Sequence, residues 1–263
     1  MIEEAHNDPF MNDARTLVLI HAFPFGARMW EPQLTAFEGW RVVTPSLPGF
    51  DGSAAGRASM EGFARRINGH LDRLDVEEAV VCGLSLGGYV TFAVIRQRPE
   101  RASALILADT RCGADNEDGR AGRIRMLGIL DHKGPAGVFE DMRPKLFGET
   151  THAQRPDVVA AARAMAESQK PGAIEDAIRA MLDRPDCAPL LKTIRVPTLI
   201  VVGEEDTLTP SAESERIQQL IPGSSLARIP GVGHLSSLED PAAFNAVVNT
   251  FLATLAPEIT KTR

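Results

Sequence analysis

The sequence predicts an α/β fold: a doubly wound, mostly parallel central sheet with a helical lid inserted between two sheet strands. Short apolar runs end at loops again and again, at residues 16–21, 42–44, 79–83, 104–109, 198–203 and 226–229. Helical spacing fills the stretches between several of them, while residues 113–186 show helical spacing and no strand pattern. Runs this continuously apolar belong to strands covered on both faces, as parallel sheets require. Alternation of strand with helix is how parallel neighbours are joined.

The first strand, residues 16–21, reads T-L-V-L-I-H, an aliphatic run that closes on a histidine, and the second is the shorter run at 42–44. Residues 60–74 repeat apolar side chains at helical intervals. The strand at 79–83 runs straight into a helix over 86–98, and the strand at 104–109 leads into the long helical stretch. Within that stretch, helical spacing at 119–130, 135–147, 156–169 and 172–182 is broken by Gly and Pro. The pattern then returns to strand at 198–203, helix at 211–220, strand at 226–229 and a final helix at 241–255. A chain of 263 residues suits one large domain carrying an insertion. Residues 1–112 and 187–263 are therefore expected to form the core and residues 113–186 a helical cap. In such sheets ligands bind outside the carboxyl ends of the strands, so a block inserted there would roof the binding crevice.

The net charge is -7, with 28 basic residues scattered along the chain, which argues against a nucleic-acid track or a polybasic membrane patch. Glu3 and Glu4 stand where a leader peptide needs positive charge, and the early apolar stretch 17–20 is too short for export or for spanning a bilayer. A cytoplasmic protein, monomer or homodimer, acting on a small molecule is expected. Cys82, Cys112 and Cys187 match neither a disulfide framework nor a zinc motif and are expected to be reduced. The six histidines are dispersed, no H-E-x-x-H occurs, and neither nucleotide-binding glycine loop is present. No metal and no cofactor are expected.

Residues 80–88 read V-V-C-G-L-S-L-G-G. Gly83 and Gly87 flank Ser85 in a G-x-S-x-G turn, which lifts a serine hydroxyl above a sheet at the start of a helix. A serine needs a base, and the base needs a carboxylate to orient it. His234 lies in I-P-G-V-G-H-L-S-S-L-E-D-P, a glycine-rich loop after the last strand. The carboxylate should follow a strand between the serine and the histidine, which favours Asp206 in G-E-E-D-T-L-T-P, with Glu204, Glu205 and Asp109 as rivals. Two backbone N–H groups should meet a developing oxyanion: Leu86, just behind the serine, and Phe23, in the loop after the first strand. His21 in that loop is expected to pin it by hydrogen bonds.

With these segments in order, from Thr16 onward the chain resembles the α/β-hydrolase superfamily. Within it, the lid-bearing group of 3-oxoadipate enol-lactonases, aryl esterases and cofactor-free haloperoxidase or perhydrolase types is the nearest. The resemblance rests on H-A-F-P at His21, S-L-P-G-F-D-G-S at Ser46, G-L-S-L-G-G at Ser85, G-E-E-D-T-L-T-P at Asp206 and G-H-L-S-S-L-E-D-P at His234. It departs at Ala22, where members usually have glycine, and at Ser46 and Asp51, which replace an aspartate and a glycine. Asp tolerates a left-handed turn, so that turn is expected to survive. Few residues precede the first strand, so the usual N-terminal hairpin is expected to be shortened or replaced.

The resemblance implies attack by Ser85 on an ester or lactone carbonyl, with His234 as base then acid, and Asp206 fixing the imidazole. Phe23, Phe25, Trp30, Met126, Leu130, Met142 and Phe147 are expected to wall a pocket for a compact, largely apolar substrate. The same three residues would serve hydrolysis of a carbon–carbon bond in a vinylogous diketone. A slow-turnover ligand sensor is the reading from another class. Ser85 in the nucleophile position argues against haloalkane dehalogenation, which uses a carboxylate there.

Overall fold

A computed structural model describes residues 15–255. Six strands form one sheet: β1 (Arg15–Ile20), β2 (Trp40–Val43), β3 (Ala79–Leu84), β4 (Ala102–Ala108), β5 (Thr198–Gly203) and β6 (Ser225–Ile229). Their order is β2-β1-β3-β4-β5-β6, and every neighbouring pair is parallel. β3 and β5 are buried along their whole length, which is why they read as unbroken apolar runs. The edge strands β2 and β6 are only half covered and keep Arg41 and Arg228. That polar face is why the sequence shows β2 only at residues 42–44, two residues late, with the half-buried Trp40 at its start.

β1 lies one strand in from an edge; from it the chain steps out to β2 and then builds toward the other edge. The reversal falls between β1 and β3, so the tips of these two strands open a crevice at the sheet's carboxyl edge. Helices cover the faces: α1 (Met60–Arg73), α2 (Leu86–Gln97), α8 (Ser211–Leu220) and α10 (Pro241–Thr254). Ser59 starts α1 by accepting the Gly62 N–H at 3.0 Å, and Asp240 starts α10 by accepting the Ala243 N–H at 2.9 Å. Pro241 at the first position of α10 loses no hydrogen bond there. α2 is buried from Leu86 to Ile95, since it packs on both the sheet and α1.

Between β4 and β5 the chain forms α3 (Glu117–Leu146), α4 (Glu149–Gln154), α5 (Pro156–Glu167), α6 (Pro171–Leu182) and the single turn α7 (Ala188–Leu191). The two helices expected at 119–130 and 135–147 abut with no loop between them. Gly134, at φ 64°, bends the run just before Pro135, whose ring cannot continue an unbroken helix. α3 packs against α5 and α6. Short elements without a sequence signal complete the described residues: 3-10 segments at Ala27–Gln33, Phe50–Gly52 and Pro99–Arg101, and the helices α4, α7 and α9 (Ser236–Glu239). The expected N-terminal hairpin falls on residues 1–14, outside the described residues. Among the described residues, no helix is long and apolar enough to cross a membrane. The three cysteines are free and buried.

Candidate active site

Strand register brings the candidate residues to one edge. Ile20 pairs with Gly83, Leu84 with Ala108, Ala108 with Val201 and Gly203 with Ile229, so the loops that follow β1, β3, β4, β5 and β6 leave side by side. Ser85 links β3 to α2 at φ 54° and ψ −110°, a backbone conformation costing about 1–3 kcal/mol for a non-glycine residue. Surrounding bonds hold it there. The Ser85 N–H donates to the Ala108 carbonyl at 2.9 Å, and Thr110 Oγ1 donates to the Ser85 carbonyl at 2.9 Å. A Cβ at Gly83 would collide with the Gly87 carbonyl and Thr91 Oγ1, and one at Gly87 with the Ile20 carbonyl. Only glycine at both places lets the turn fold this tightly.

His234 Nε2 lies 2.8 Å from Ser85 Oγ, and His234 Nδ1 lies 2.9 Å from Asp206 Oδ2. Asp206 is itself fixed: its Oδ1 accepts the N–H groups of Leu208 and Thr209, each at 2.8 Å, and Oδ2 accepts the Thr209 hydroxyl at 2.5 Å. Burial pushes the Asp206 carboxyl up. The adjacent imidazole, its hydrogen bond and those from Thr209 outweigh this and hold it below its ordinary value. An ionised Asp206 can only accept, so Nδ1 carries the imidazole proton and Nε2 is free to accept from Ser85. Thr209 Oγ1 also sits 3.1 Å from His234 Nδ1. The sequence reading missed Thr209, although the Asx-turn between Asp206 and the Leu208 N–H, two residues on, brings the next residue, Thr209, against the same carboxylate.

The rival carboxylates have other partners. Glu204 is exposed. Glu205 accepts the Thr150 N–H at 2.9 Å and the Thr150 hydroxyl at 2.5 Å. Asp109, fully buried at φ 44°, accepts the Gly203 N–H at 2.9 Å and lies 2.5 Å from Ser236 Oγ. Burial and the nearby Asp206 charge push its carboxyl well above the ordinary range.

In the loop after β1, the Leu47 N–H donates to His21 Nε2 at 3.0 Å, and His21 Nδ1 faces the Ala22 carbonyl at 3.1 Å. His21 is fully buried and its basicity is lowered by that burial, so it pins the loop as a neutral ring. Positive φ among the described non-glycine residues is confined to Asp51, Asp75, Ser85 and Asp109. Ala22 therefore takes an ordinary backbone conformation, and its N–H meets Met29 Sδ at 3.1 Å. Among the described residues, no other backbone carbonyl accepts from the N–H of Phe23 or of Leu86. Asp51 sits at φ 52°, as its turn demands, and its carboxylate accepts from Ala27 N–H and Ser46 Oγ, each at 2.7 Å, and from Gln169 Nε2 at 3.0 Å.

Phe25, Met126, Met142 and Phe147 are all buried in the continuous apolar core. Phe147 meets Phe139 and His152 edge to face. Trp30 and Leu130 belong to the same core. Trp30 packs its ring 6.0 Å from that of Phe244 in α10, because the 3-10 segment carrying it lies along that helix. Leu130 borders a surface groove with Pro171 and Arg179 of the α3–α6 region. Among the described residues, no group of three or more His, Cys, Asp or Glu is arranged to hold a metal ion.

Residues 17–247 match the sequence profile of the Alpha/beta hydrolase family. The chain is 28% identical over 239 residues to the pimeloyl-[acyl-carrier protein] methyl ester esterase of Aromatoleum aromaticum, covering 86% of this chain and 93% of that protein. To 3-oxoadipate enol-lactonase 1 of Acinetobacter baylyi it is 25% identical over 230 residues, covering 86% and 84%. A solved thermophilic esterase from Thermogutta terrifontis superposes with a TM-score of 0.89 at 33% identity, covering 93% of this chain and 91% of that one.

Proposed function

Because this chain belongs to the alpha/beta hydrolase family, we propose that it is a serine hydrolase of small, largely apolar esters or lactones. The observation that carries the reading is the unbroken relay from Ser85 Oγ through the imidazole of His234 to Asp206, with links of 2.8 and 2.9 Å. In the proposed cycle His234 takes the Ser85 proton as Oγ attacks the carbonyl carbon. The imidazolium is stabilised by Asp206, and it then gives the proton to the departing alcohol. The oxyanion is received by the N–H groups of Leu86 and Phe23, the first of which also lies at the positive end of α2. Water, deprotonated by the same imidazole, releases the acid and restores Ser85.

In this reading residues 113–186 act as the cap over the crevice, and the sheet with its flanking helices is the core. The esterase and lactonase names of the relatives support acyl chemistry. The test is turnover of short-chain nitrophenyl esters and simple lactones by the wild type beside Ser85→Ala, both checked for folding. A loss of at least about 10³-fold in the variant is expected. No turnover by folded wild type would move the assignment to a carbon–carbon bond substrate, which a diketone panel reads directly.

A further inference from the structure

Two buried or half-buried carboxylates outside the relay converge on one short piece of the helical block. Glu239 is 1% exposed. Its Oε1 accepts the Leu235 N–H at 3.0 Å, and its Oε2 accepts the Gly233 N–H at 3.0 Å and the Gly148 N–H at 2.9 Å. The first two donors are the immediate neighbours of His234, so one side chain brackets the histidine's backbone. The third belongs to the segment joining α3 to α4. Glu205, next in sequence to Asp206, grips the same segment through the N–H and hydroxyl of Thr150. Its own N–H donates to the Val232 carbonyl at 2.9 Å, which ties the Asp206 loop to the His234 loop.

The contact leaves no slack. A Cβ on Gly233 would collide with the Gly148 nitrogen and lie 2.6 Å from the Phe147 carbonyl carbon. Arg155, just after α4, adds a bond from Nη1 to the Glu239 carbonyl at 2.7 Å. If residues 148–150 lift away, Glu239 loses one of its three N–H partners and Glu205 loses both Thr150 donors. A buried carboxylate with a vacated lone pair re-seeks donors, and the donors it still holds flank His234.

We propose that Glu205 and Glu239 are positioning residues that make seating of residues 148–150 a condition for aligning His234 and Asp206 with Ser85. The cap is then a switch for the relay as well as a roof. This rests on the serine hydrolase reading for its kinetic consequence, while its geometric consequence stands without substrate.

The experiment compares wild type with Thr150→Val and Glu239→Gln. Thr150→Val removes only the hydroxyl bond to Glu205, and Glu239→Gln presents an amide NH₂ to a site built of N–H donors. Three readouts are taken: thermal melting, kcat and KM on a short nitrophenyl ester, and the far-downfield proton NMR signal of His234 Nδ1–H without substrate. Each folded variant is expected to move or broaden that signal and to lose about tenfold or more in kcat with little change in KM. The proposal is overturned if folded Thr150→Val keeps both the wild-type signal and a kcat within about twofold. It is equally overturned if the variants lose melting temperature alone. Should Glu239→Gln not fold, Thr150→Val decides. Should wild type and Ser85→Ala alike fail to turn over the ester, the ester and lactone reading falls, and the His234 signal still decides the positioning role.

Discussion

Asp109 and Asp206 show how neighbouring carboxyls at one sheet edge are driven apart in acidity. Asp109 is raised by burial and by the Asp206 charge, so its ionised form destabilises the fold, and stability falls as pH rises through the raised value. Asp109→Asn keeps an acceptor for the Gly203 N–H and a donor for Ser236. It is expected to raise the melting temperature at about pH 8, by less near pH 5, with turnover within a few fold of wild type. Thermal melts across pH check this. Asp206 has the opposite sign: its folded value lies below the ordinary 3.8. Its contribution is present above that ordinary value and lost as pH falls through the depressed one. The stability gap between wild type and Asp206→Asn should therefore close on acidification below about pH 4. Ser85, Asp206 and His234 were legible in the sequence because each sits in a local turn whose residue types reveal its geometry. Thr209 had a local signal that was passed over. Glu205 and Glu239 had none, since their partners Thr150 and Gly148 lie 55 and 91 residues away.

At the scale of elements, period and capping located the strands and long helices to within about two residues. Where the structure added elements, it added short ones: α4, α7, α9 and the 3-10 segments at Ala27–Gln33, Phe50–Gly52 and Pro99–Arg101 are too short to show a period. Their existence depends on tertiary partners, as Trp30 against Phe244 illustrates. The exchange of residue types at Ser46 and Asp51 also becomes intelligible at this scale. The Asp51 carboxylate bonds Ser46 and the start of the 3-10 segment, and Gln169 completes it from the turn between α5 and α6. A cap far from the site gives a clean control. Ser59→Ala removes the acceptor for the Gly62 N–H and is expected to cost about 1 kcal/mol, lowering the melting temperature by about 2–4 °C with kcat unchanged. Calorimetry beside ester kinetics measures both.

For the molecule as a whole, burial settles the fate of its thiols. Cys82 lies in the middle of β3, where burial and the nearby Asp109 raise its pKa, and burial likewise raises Cys112 and Cys187. A thiol kept protonated and covered is a poor nucleophile. Native protein is expected to resist iodoacetamide, with labelling by mass spectrometry appearing only in denaturant; rapid labelling of the folded chain would contradict this. The strand order has a consequence for biosynthesis. Ser85 follows β3, whereas His234 follows β6, which pairs with β5 at the far edge of the sheet. The hydroxyl is thus made 149 residues before its base. Between those two points the nascent chain holds Ser85 without its imidazole partner, and the proposed relay is completed only when β6 docks on β5.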